Sequence, residues 1–352
     1  MNNLFIRFSL QDQILFAKRL ATLIRAGVPV VAAMKIIRKQ AQTSFSKRVY
    51  DTMITDVENG QFLHTSMQKF RKIFGDFSVN IVRIGETSGT LQENLNYLAD
   101  ELKKKQALRR KVIGALVYPV IIVIATLGIT ALLTLYVFPK ILPIFKSLNF
   151  ELPWTTRVLI FSSDFFGNYW YFIFGALAVL FVAFLLLMRM ERFRYFVHHI
   201  VLSIPLLGRL AKNYQMANFC RTLGLLLRCD VMIVEATRIT ANATTNLVYR
   251  EALHIISNNV TRGEKMSQYM DKKTRLFPPI LSQMVTVGET SGNLSDTLEF
   301  LAEMYENEVD ELTKNLSTVL EPVLLVFMGM IVGFIAVSII TPIYEITQNI
   351  HP

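Results

Sequence analysis

Three long stretches of the chain contain no Asp, Glu, Lys, Arg or His: residues 112–138, 165–188 and 322–344. A helix of roughly 20 apolar residues crosses a hydrocarbon core of about 30 Å, so each stretch is long enough to span a bilayer. One such stretch is also compatible with a buried core helix, but three in one chain favour a membrane protein. The pattern therefore predicts three transmembrane helices.

Basic residues beside these spans predict the orientation of the chain, because Lys and Arg in short flanking segments stay on the cytoplasmic side. Six of them lie within residues 103–111, before the first span, and three lie within residues 189–194, after the second. Both large polar regions, and the N-terminus, are therefore expected in the cytoplasm. The expected divisions are a cytoplasmic helical domain (1–111), a span (112–138), a short periplasmic loop (139–164), a span (165–188), a second cytoplasmic helical domain (189–321), a span (322–344) and a short external tail (345–352).

Both polar regions have the periodicity of helices. Apolar residues recur three and four positions apart, Gly or Pro separates the runs, and strand-like alternation is scarce. We therefore expect an all-α membrane protein with two repeated cytoplasmic helical bundles, about six helices each, and three transmembrane helices. The helices of the first bundle are expected near residues 10–26, 29–42, 45–59, 61–71, 77–85 and 91–111.

The second half of the chain repeats the first at one fixed offset, found by searching for internal similarity before assigning a fold. The matching pairs include Phe16 with Phe219, Gly60 with Gly263, Phe74 with Phe277, Pro119 with Pro322 and Pro139 with Pro342. One offset kept over most of each half indicates a duplication, and the shift that carries Phe16 onto Phe219 is called the repeat offset below. Because both copies run from a cytoplasmic domain into an outward span, a returning helix is needed between them, and residues 165–188 provide it.

The most specific short string is Gly-Glu-Thr-Ser-Gly, which occurs once in each copy. Its residues are Gly85, Glu86, Thr87, Ser88 and Gly89 in the first copy and Gly288, Glu289, Thr290, Ser291 and Gly292 in the second. We interpret it as a helix–helix connection in which Gly ends the incoming helix and Thr90 with Glu93, spaced as a capping box, starts the next. The same turns are candidate partner contacts.

Prolines and glycines mark the membrane spans. Pro119 and Pro322 lie near the entry to the first and third spans, where the missing backbone donor is expected to kink the helix. Gly329 and Gly333 have GxxxG spacing, which permits close packing of another helix, although small residues are also ordinary in membrane helices.

Known catalytic and ligand-binding motifs are missing from the sequence. A serine-hydrolase elbow requires Ser where Thr87 and Thr290 stand, and neither a phosphate-binding GxxxxGK[ST] loop nor HExxH occurs. Cys220 and Cys229 are expected to be reduced packing residues. The sequence thus predicts no catalytic residue, no cofactor, no metal site and no enzymatic activity.

Charge is distributed unevenly between the two polar regions. Residues 1–111 contain 19 Lys and Arg against 9 Asp and Glu, whereas residues 189–321 contain 15 of each. The excess of positive charge in the first region suits anionic membrane lipid or an acidic protein partner, and also a merely solvated basic face. Nucleic acid is not expected, because no recognition motif accompanies the charge.

Taken together, these features resemble the family of type II secretion system F proteins and type IV pilus inner-membrane assembly platform proteins. The resemblance covers nearly the whole chain and rests on the doubled domain, the paired turns, the Phe277-Pro278-Pro279 string and the span-entry prolines. It implies a multi-pass platform in the bacterial inner (cytoplasmic) membrane that couples an ATPase to the movement of pilin subunits into a filament. The partners it implies are a cytoplasmic assembly ATPase, with a retraction ATPase as a further possibility, inner-membrane accessory proteins, and pilin or pseudopilin subunits. It also implies contact with membrane lipid and with further copies of the chain in a homo-oligomer.

Two departures from the family pattern refine this expectation. The first helix is expected near Leu10, without the longer extension of many secretion F proteins, which favours a type IVb pilus platform and leaves a competence pseudopilus open. The second copy has Asp230 and Met232 where the first has Gly27 and Pro29, so the copies are expected to differ in partner. A small-solute transporter built on parallel repeats is the alternative function, although the spans lack the ionisable residues typical of ion relays.

Overall fold

A computed structural model describes residues 8–137, 139–141, 143 and 153–350, and its described part contains helices and no β-strand. The chain forms two compact units. The first contains the described residues through Lys111 together with Tyr195–Glu311, and the second contains Val112–Arg194 with the described residues from Leu312 onward. The predicted all-helical class is confirmed, and both polar regions of the sequence contribute to the first unit.

The first polar region forms five helices and the start of a sixth. They are α1 (Leu10–Arg25), α2 (Val30–Lys39), α3 (Ser44–Glu58), α4 (Leu63–Lys69), α5 (Arg71–Ser88) and α6 (Leu91–Leu132). Most bounds agree with the expected ones within a few residues. The exception is α5, which was expected over residues 77–85 and instead runs from Arg71 to Ser88, with a break at Gly75, where φ is +75°.

The second polar region begins with an additional helix, α8 (Glu191–Ser203), and then repeats this order of helices. The repeated helices are α9 (Pro205–Arg228), α10 (Ile233–Ala243), α11 (Leu247–Thr261), α12 (Met266–Lys272), α13 (Pro279–Ser291) and α14 (Leu294–Ile350). The short helix α12 corresponds to α4 at the repeat offset, and α13 ends at the position that corresponds to the end of α5.

Local sequence explains where several of these helices begin. Ser9 and Asp12 form a capping box in which the Ser9 hydroxyl accepts from the Asp12 N–H and the Asp12 carboxylate accepts from the Ser9 N–H at 2.7 Å. Thr43 caps α3 and Asn246 caps α11 in a similar way. These side chains satisfy backbone donors that have no partner within the first turn of a helix.

Aromatic side chains occupy the core of each polar region. Phe16 packs against Tyr50 and Phe74 with ring centroids 5.7 Å and 5.6 Å apart. Phe277, which corresponds to Phe74, meets Tyr249 edge to face at 5.9 Å, and the Tyr249 hydroxyl donates to the Leu276 carbonyl. Burial of these large apolar rings stabilises the bundle in proportion to the area removed from water.

The second unit is built from long apolar helices. The first apolar stretch continues α6 through a π-helical segment (Leu133–Val137), the middle stretch lies in α7 (Trp154–Leu187), and the third lies in α14. By length and composition, the helices at Leu91–Ile141 and Leu294–Thr341 are able to cross a membrane, and Gly175–Leu187 is a shorter apolar helical stretch. The second predicted span, residues 165–188, therefore stays a prediction.

Buried hydroxyls join the helices of the second unit. The Thr156 hydroxyl donates to the Ser338 carbonyl at 2.7 Å, and the Ser163 hydroxyl donates to the Thr134 carbonyl at 3.0 Å. Leu159 and Ile335 are buried and pack together in the same unit. Small polar side chains that bond between helices are a common means of association where water is absent.

Helix extends into segments that were expected to be a loop and a tail. In the expected loop (139–164) α7 already begins at Trp154, and α14 continues to Ile350 within the expected tail (345–352). Residues 142, 144–152, 351 and 352 lie outside the described residues. Helix also runs without interruption through Pro119 and Pro322, and the kinks expected at these prolines stay a prediction.

Candidate functional site

The two Gly-Glu-Thr-Ser-Gly strings occupy equivalent places at the C-terminal ends of α5 and α13. The final glycines, Gly89 and Gly292, have φ of +77° and +75° and terminate their helices in the left-handed conformation. Glycine is favoured there because it has no Cβ to clash with the backbone. The helix–helix connection predicted from the sequence is therefore present, but Gly89 rather than Gly85 ends the incoming helix.

The first glycine of each string instead permits two helices to approach closely. A Cβ on Gly85 would lie 2.8 Å from the Cα of Leu91 and 3.1 Å from the Cβ of Asn94, both on the following helix. A Cβ on Gly288 would lie 3.1 Å from the Cα of Leu294. A side chain at either position would force the two helices apart, so steric contact explains the glycine.

Glu86 caps a helix that comes well before it in the chain. Its carboxylate accepts from the backbone N–H of Leu63 at 2.6 Å and of His64 at 2.8 Å, and lies 2.7 Å from Nδ1 of His64. These N–H groups open α4, where the helix has free donors and a partial positive charge. The carboxylate therefore supplies a cap that the sequence around α4 lacks.

Glu289 performs the same role in the second copy. It accepts from the Met266 N–H at 2.7 Å, from the Ser267 N–H at 3.4 Å and from the Ser267 hydroxyl at 2.6 Å. The capped residues correspond to those of the first copy at the repeat offset. The shared geometry of the two copies gives the glutamate of each string a structural role, and no local sequence pattern indicates the helix that it caps.

The remaining polar residues of the strings face solvent. Thr87 and Ser88 donate to the backbone carbonyls of Arg83 and Ile84, and Thr290 donates to Thr286, so these hydroxyls bond one turn back along their own helices. Thr87, Ser88, Thr290 and Ser291 each have solvent-accessible surface. They are therefore accessible to another molecule.

The predicted packing glycines of the membrane region are open. Gly329 and Gly333 have free space around them, because a Cβ on either would meet nothing within 4 Å. No helix of the described part of this chain uses the GxxxG face, so its role in packing against another molecule stays a prediction.

Ion pairs between the two polar regions were missed by the sequence analysis. Arg83 pairs with Glu235, and Lys111 pairs with Asp310 at 2.9 Å. Each joins the first region to the second within one compact unit. The partners lie in different halves of the sequence, so no local pattern indicates them.

Arg221 is a deeply buried charge in this contact. Its Nε lies 2.6 Å from a Glu306 carboxylate oxygen and 3.5 Å from one of Glu101, which belongs to the first region. Burial raises the pKa of Glu101 to about 7, against the opposing effect of the Arg221 charge. Burial also opposes the charge of Arg221, but the two carboxylates hold its pKa above the ordinary value. The available signal was that Arg221 is the only charged residue between Lys212 and Arg228 in α9.

The cysteines occupy buried positions. Burial raises the pKa of the Cys220 thiol above its ordinary value and that of Cys229 to about 11, which keeps both thiols protonated. Among the residues that the structure describes, no three His, Cys, Asp or Glu side chains come together as metal ligands would.

Comparisons with known proteins agree with the doubled sequence. The family described as type II secretion system (T2SS), protein F, matches residues 16–139 and again residues 219–342. The second match is displaced from the first by the repeat offset found within the sequence.

Individual relatives match nearly the whole chain. The type IV pilus assembly protein PilC of Thermus thermophilus is 34% identical over 96% of this chain and 83% of its own length. Type II secretion system protein F of Pseudomonas aeruginosa is 33% identical over 97% and 84%, and that of Aeromonas hydrophila is 30% identical over 99% and 91%. Relatives from pilus and secretion systems are similarly close, so the type IVb pilus assignment stays a prediction. The chain belongs to the type II secretion F and type IV pilus assembly family of membrane platform proteins.

Proposed function

We propose that this protein is the inner-membrane platform of a type IV pilus or type II secretion pseudopilus, and that it couples a cytoplasmic assembly ATPase to the insertion of pilin subunits. The observation that carries the proposal is the double match of the family to both halves of the chain, together with relatives over nearly its full length. In this role the chain acts through contacts rather than through catalysis. The relatives do not favour the alternative of a solute transporter.

The proposed topology has three spans, with the N-terminus and both polar regions in the cytoplasm. Most apolar side chains in the second half of α7 are exposed, for example Leu177 at 61% and Val179 at 69%, which suits a helix in contact with lipid. The basic flanks of the first two spans support this orientation.

The two polar regions are proposed to move as one body when the ATPase engages them. The pairs Arg83–Glu235 and Lys111–Asp310, with the buried Arg221, tie the regions together. The exposed residues of the Gly-Glu-Thr-Ser-Gly turns are proposed as contacts for the ATPase or for accessory proteins.

Crosslinking in cells tests the proposed partners. A photo-crosslinking amino acid is placed at Thr87 or Thr290, with exposed Thr52 on α3 as the matched control, and captured proteins are identified by mass spectrometry. Capture of a pilus or secretion ATPase from the turn positions and not from the control supports both the platform role and the contact. Capture of the ATPase from Thr52 alone removes the turns from the contact, and capture of no component of either machine at any position contradicts the platform role.

Labelling of introduced cysteines tests the topology. In a variant with both native cysteines replaced, a membrane-impermeant maleimide is expected to label Lys140→Cys in intact spheroplasts. Lys39→Cys and Lys265→Cys are expected to react only after permeabilisation. Labelling of either in intact spheroplasts would contradict the orientation.

A further inference from the structure

A polar cavity of about 390 Å³ lies between the two polar regions, within the first compact unit. One wall is α6 of the first region, which contributes Lys105 and Arg109. The opposite wall is formed by Tyr214, Gln215 and Thr222 of α9 and by the C-terminal end of α10. The cavity therefore exists only where the two copies of the repeat meet.

Both charged residues that line this cavity are basic. Lys105 and Arg109 are one helical turn apart on α6, where like charges repel, and no Asp or Glu is among the lining residues. The nearest carboxylate along α6 is Glu101, one turn before Lys105; it pairs with the buried Arg221, and its charge also acts on Lys105. An anion between Lys105 and Arg109 would relieve their repulsion.

Hydrogen-bond donors in the cavity are available to such an anion. Within the described part of the chain, the side chains of Lys105, Arg109, Gln215 and Thr222 make no hydrogen bond. The hydroxyls of Thr240 and Thr244 donate to carbonyls of their own helix, so they complete the polar wall without competing for the ligand.

The carboxyl end of α10 would by itself repel an anion, because its last carbonyls carry partial negative charge. Arg250 counters this effect, since its Nε donates to the Thr244 carbonyl at 2.8 Å. Arg250 is thus a third cation, in contact with a carbonyl at the end of α10.

We propose that this cavity binds a phosphate group, held by Lys105 and Arg109 from the first region and by the Gln215 amide and Thr222 hydroxyl from the second. Phosphate oxygens accept hydrogen bonds from a guanidinium group, an ammonium group and neutral donors such as an amide and a hydroxyl. A bound phosphate joins α6 to α9 and so fixes the packing of the two repeats. The contact is independent of the ATPase coupling proposed above.

Two kinds of ligand carry such a phosphate group: free phosphate compounds of the cytoplasm and anionic lipids with a phosphate headgroup. Arg109 lies just before the first apolar stretch, so a headgroup is within reach if the proposed topology holds. The lipid source rests on that topology, whereas binding of free phosphate does not.

The test uses the full-length chain reconstituted in nanodiscs. Discs of phosphatidylcholine alone are titrated with inorganic phosphate and pyrophosphate by calorimetry, and discs containing phosphatidylglycerol are analysed for retained lipid by native mass spectrometry. The double variant K105Q/R109Q is compared with K104Q/R110Q, which removes the same charge from neighbouring positions of the same helix that do not line the cavity.

Saturable phosphate binding in neutral discs, weakened at least tenfold by K105Q/R109Q and unchanged by K104Q/R110Q, supports the site with a free ligand. Retention of phosphatidylglycerol with the same dependence, without phosphate binding, supports it with a lipid headgroup. Absence of both, or equal loss in the two double variants, overturns the proposal.

An uncharged substitution provides a second test that does not depend on the folding of the charge variants. Thr222→Val removes one donor from the opposite wall and alters no charge, so it is expected to weaken binding several-fold. Unchanged binding in a folded Thr222→Val protein would exclude the second region from the site and overturn the proposed bridge.

Discussion

Replacing Glu86 with alanine removes a cap that one helix provides for another. The substitution leaves the N–H groups of Leu63 and His64 without the carboxylate that accepts from them at 2.6 Å and 2.8 Å. A hydrogen bond to a charged group contributes roughly 1.5–3 kcal/mol, and loss of a helix cap typically costs about 1 kcal/mol. Since water reaches this partly buried site, we expect α4 to lose about 2–4 kcal/mol of local stability.

Amide hydrogen exchange measures this loss directly. Because each step of about 1.4 kcal/mol corresponds to a factor of ten, peptides covering Leu63–Lys69 should exchange roughly 30-fold to nearly 1000-fold faster in Glu86→Ala. Thr87→Ala is the matched control, since Thr87 is exposed and bonds only within its own helix.

The equivalent substitution Glu289→Ala is expected to have the smaller effect on backbone protection, because the Ser267 N–H lies 3.4 Å from the carboxylate. Exchange in α4 that is the same in wild type, Glu86→Ala and Thr87→Ala would refute the capping role of Glu86.

Three further predictions concern the same compact unit. Gly85→Val should destabilise it by roughly 1–3 kcal/mol through overpacking against Leu91, measured as a lower melting temperature, whereas Gly329→Val should leave that melting temperature unchanged because its site is open. Because the pKa of Glu101 is raised, the folded chain holds the Glu101 proton more tightly than the unfolded chain does. The stability gained from this proton is present at low pH and is lost as pH rises from about 4.5 to about 7. Glu101→Gln should abolish that part of the pH dependence of the melting temperature, and a pH profile identical to that of the wild type would contradict the prediction. A double-mutant cycle on Arg83 and Glu235, which are partly exposed, should give a coupling energy of about 0.5–1 kcal/mol, and a value near zero would show that the pair does not stabilise the contact.

Some features of this structure are encoded by local sequence, and others are not. Helix bounds such as those of α1 and α3 follow from the three-and-four spacing of apolar residues and from capping side chains at Ser9 and Thr43. A glycine turn at the end of each Gly-Glu-Thr-Ser-Gly string was also predictable, because turn chemistry acts over a few residues. The helix was expected to end near residue 85 and instead ends at Ser88, since a glycine inside a helix and one at its end look alike in sequence.

The sequence alone determined the helical class, the apolar stretches, the duplication at a fixed offset and, through these features, the family. Each depends on periodicity, composition or spacing along the chain. Tertiary structure decided which distant groups meet: Glu86 reaches α4, Arg221 is buried between Glu101 and Glu306, and Lys105 and Thr222 line one cavity. These contacts depend on the rotation and crossing of helices, which are set by packing of the whole unit rather than by any local pattern.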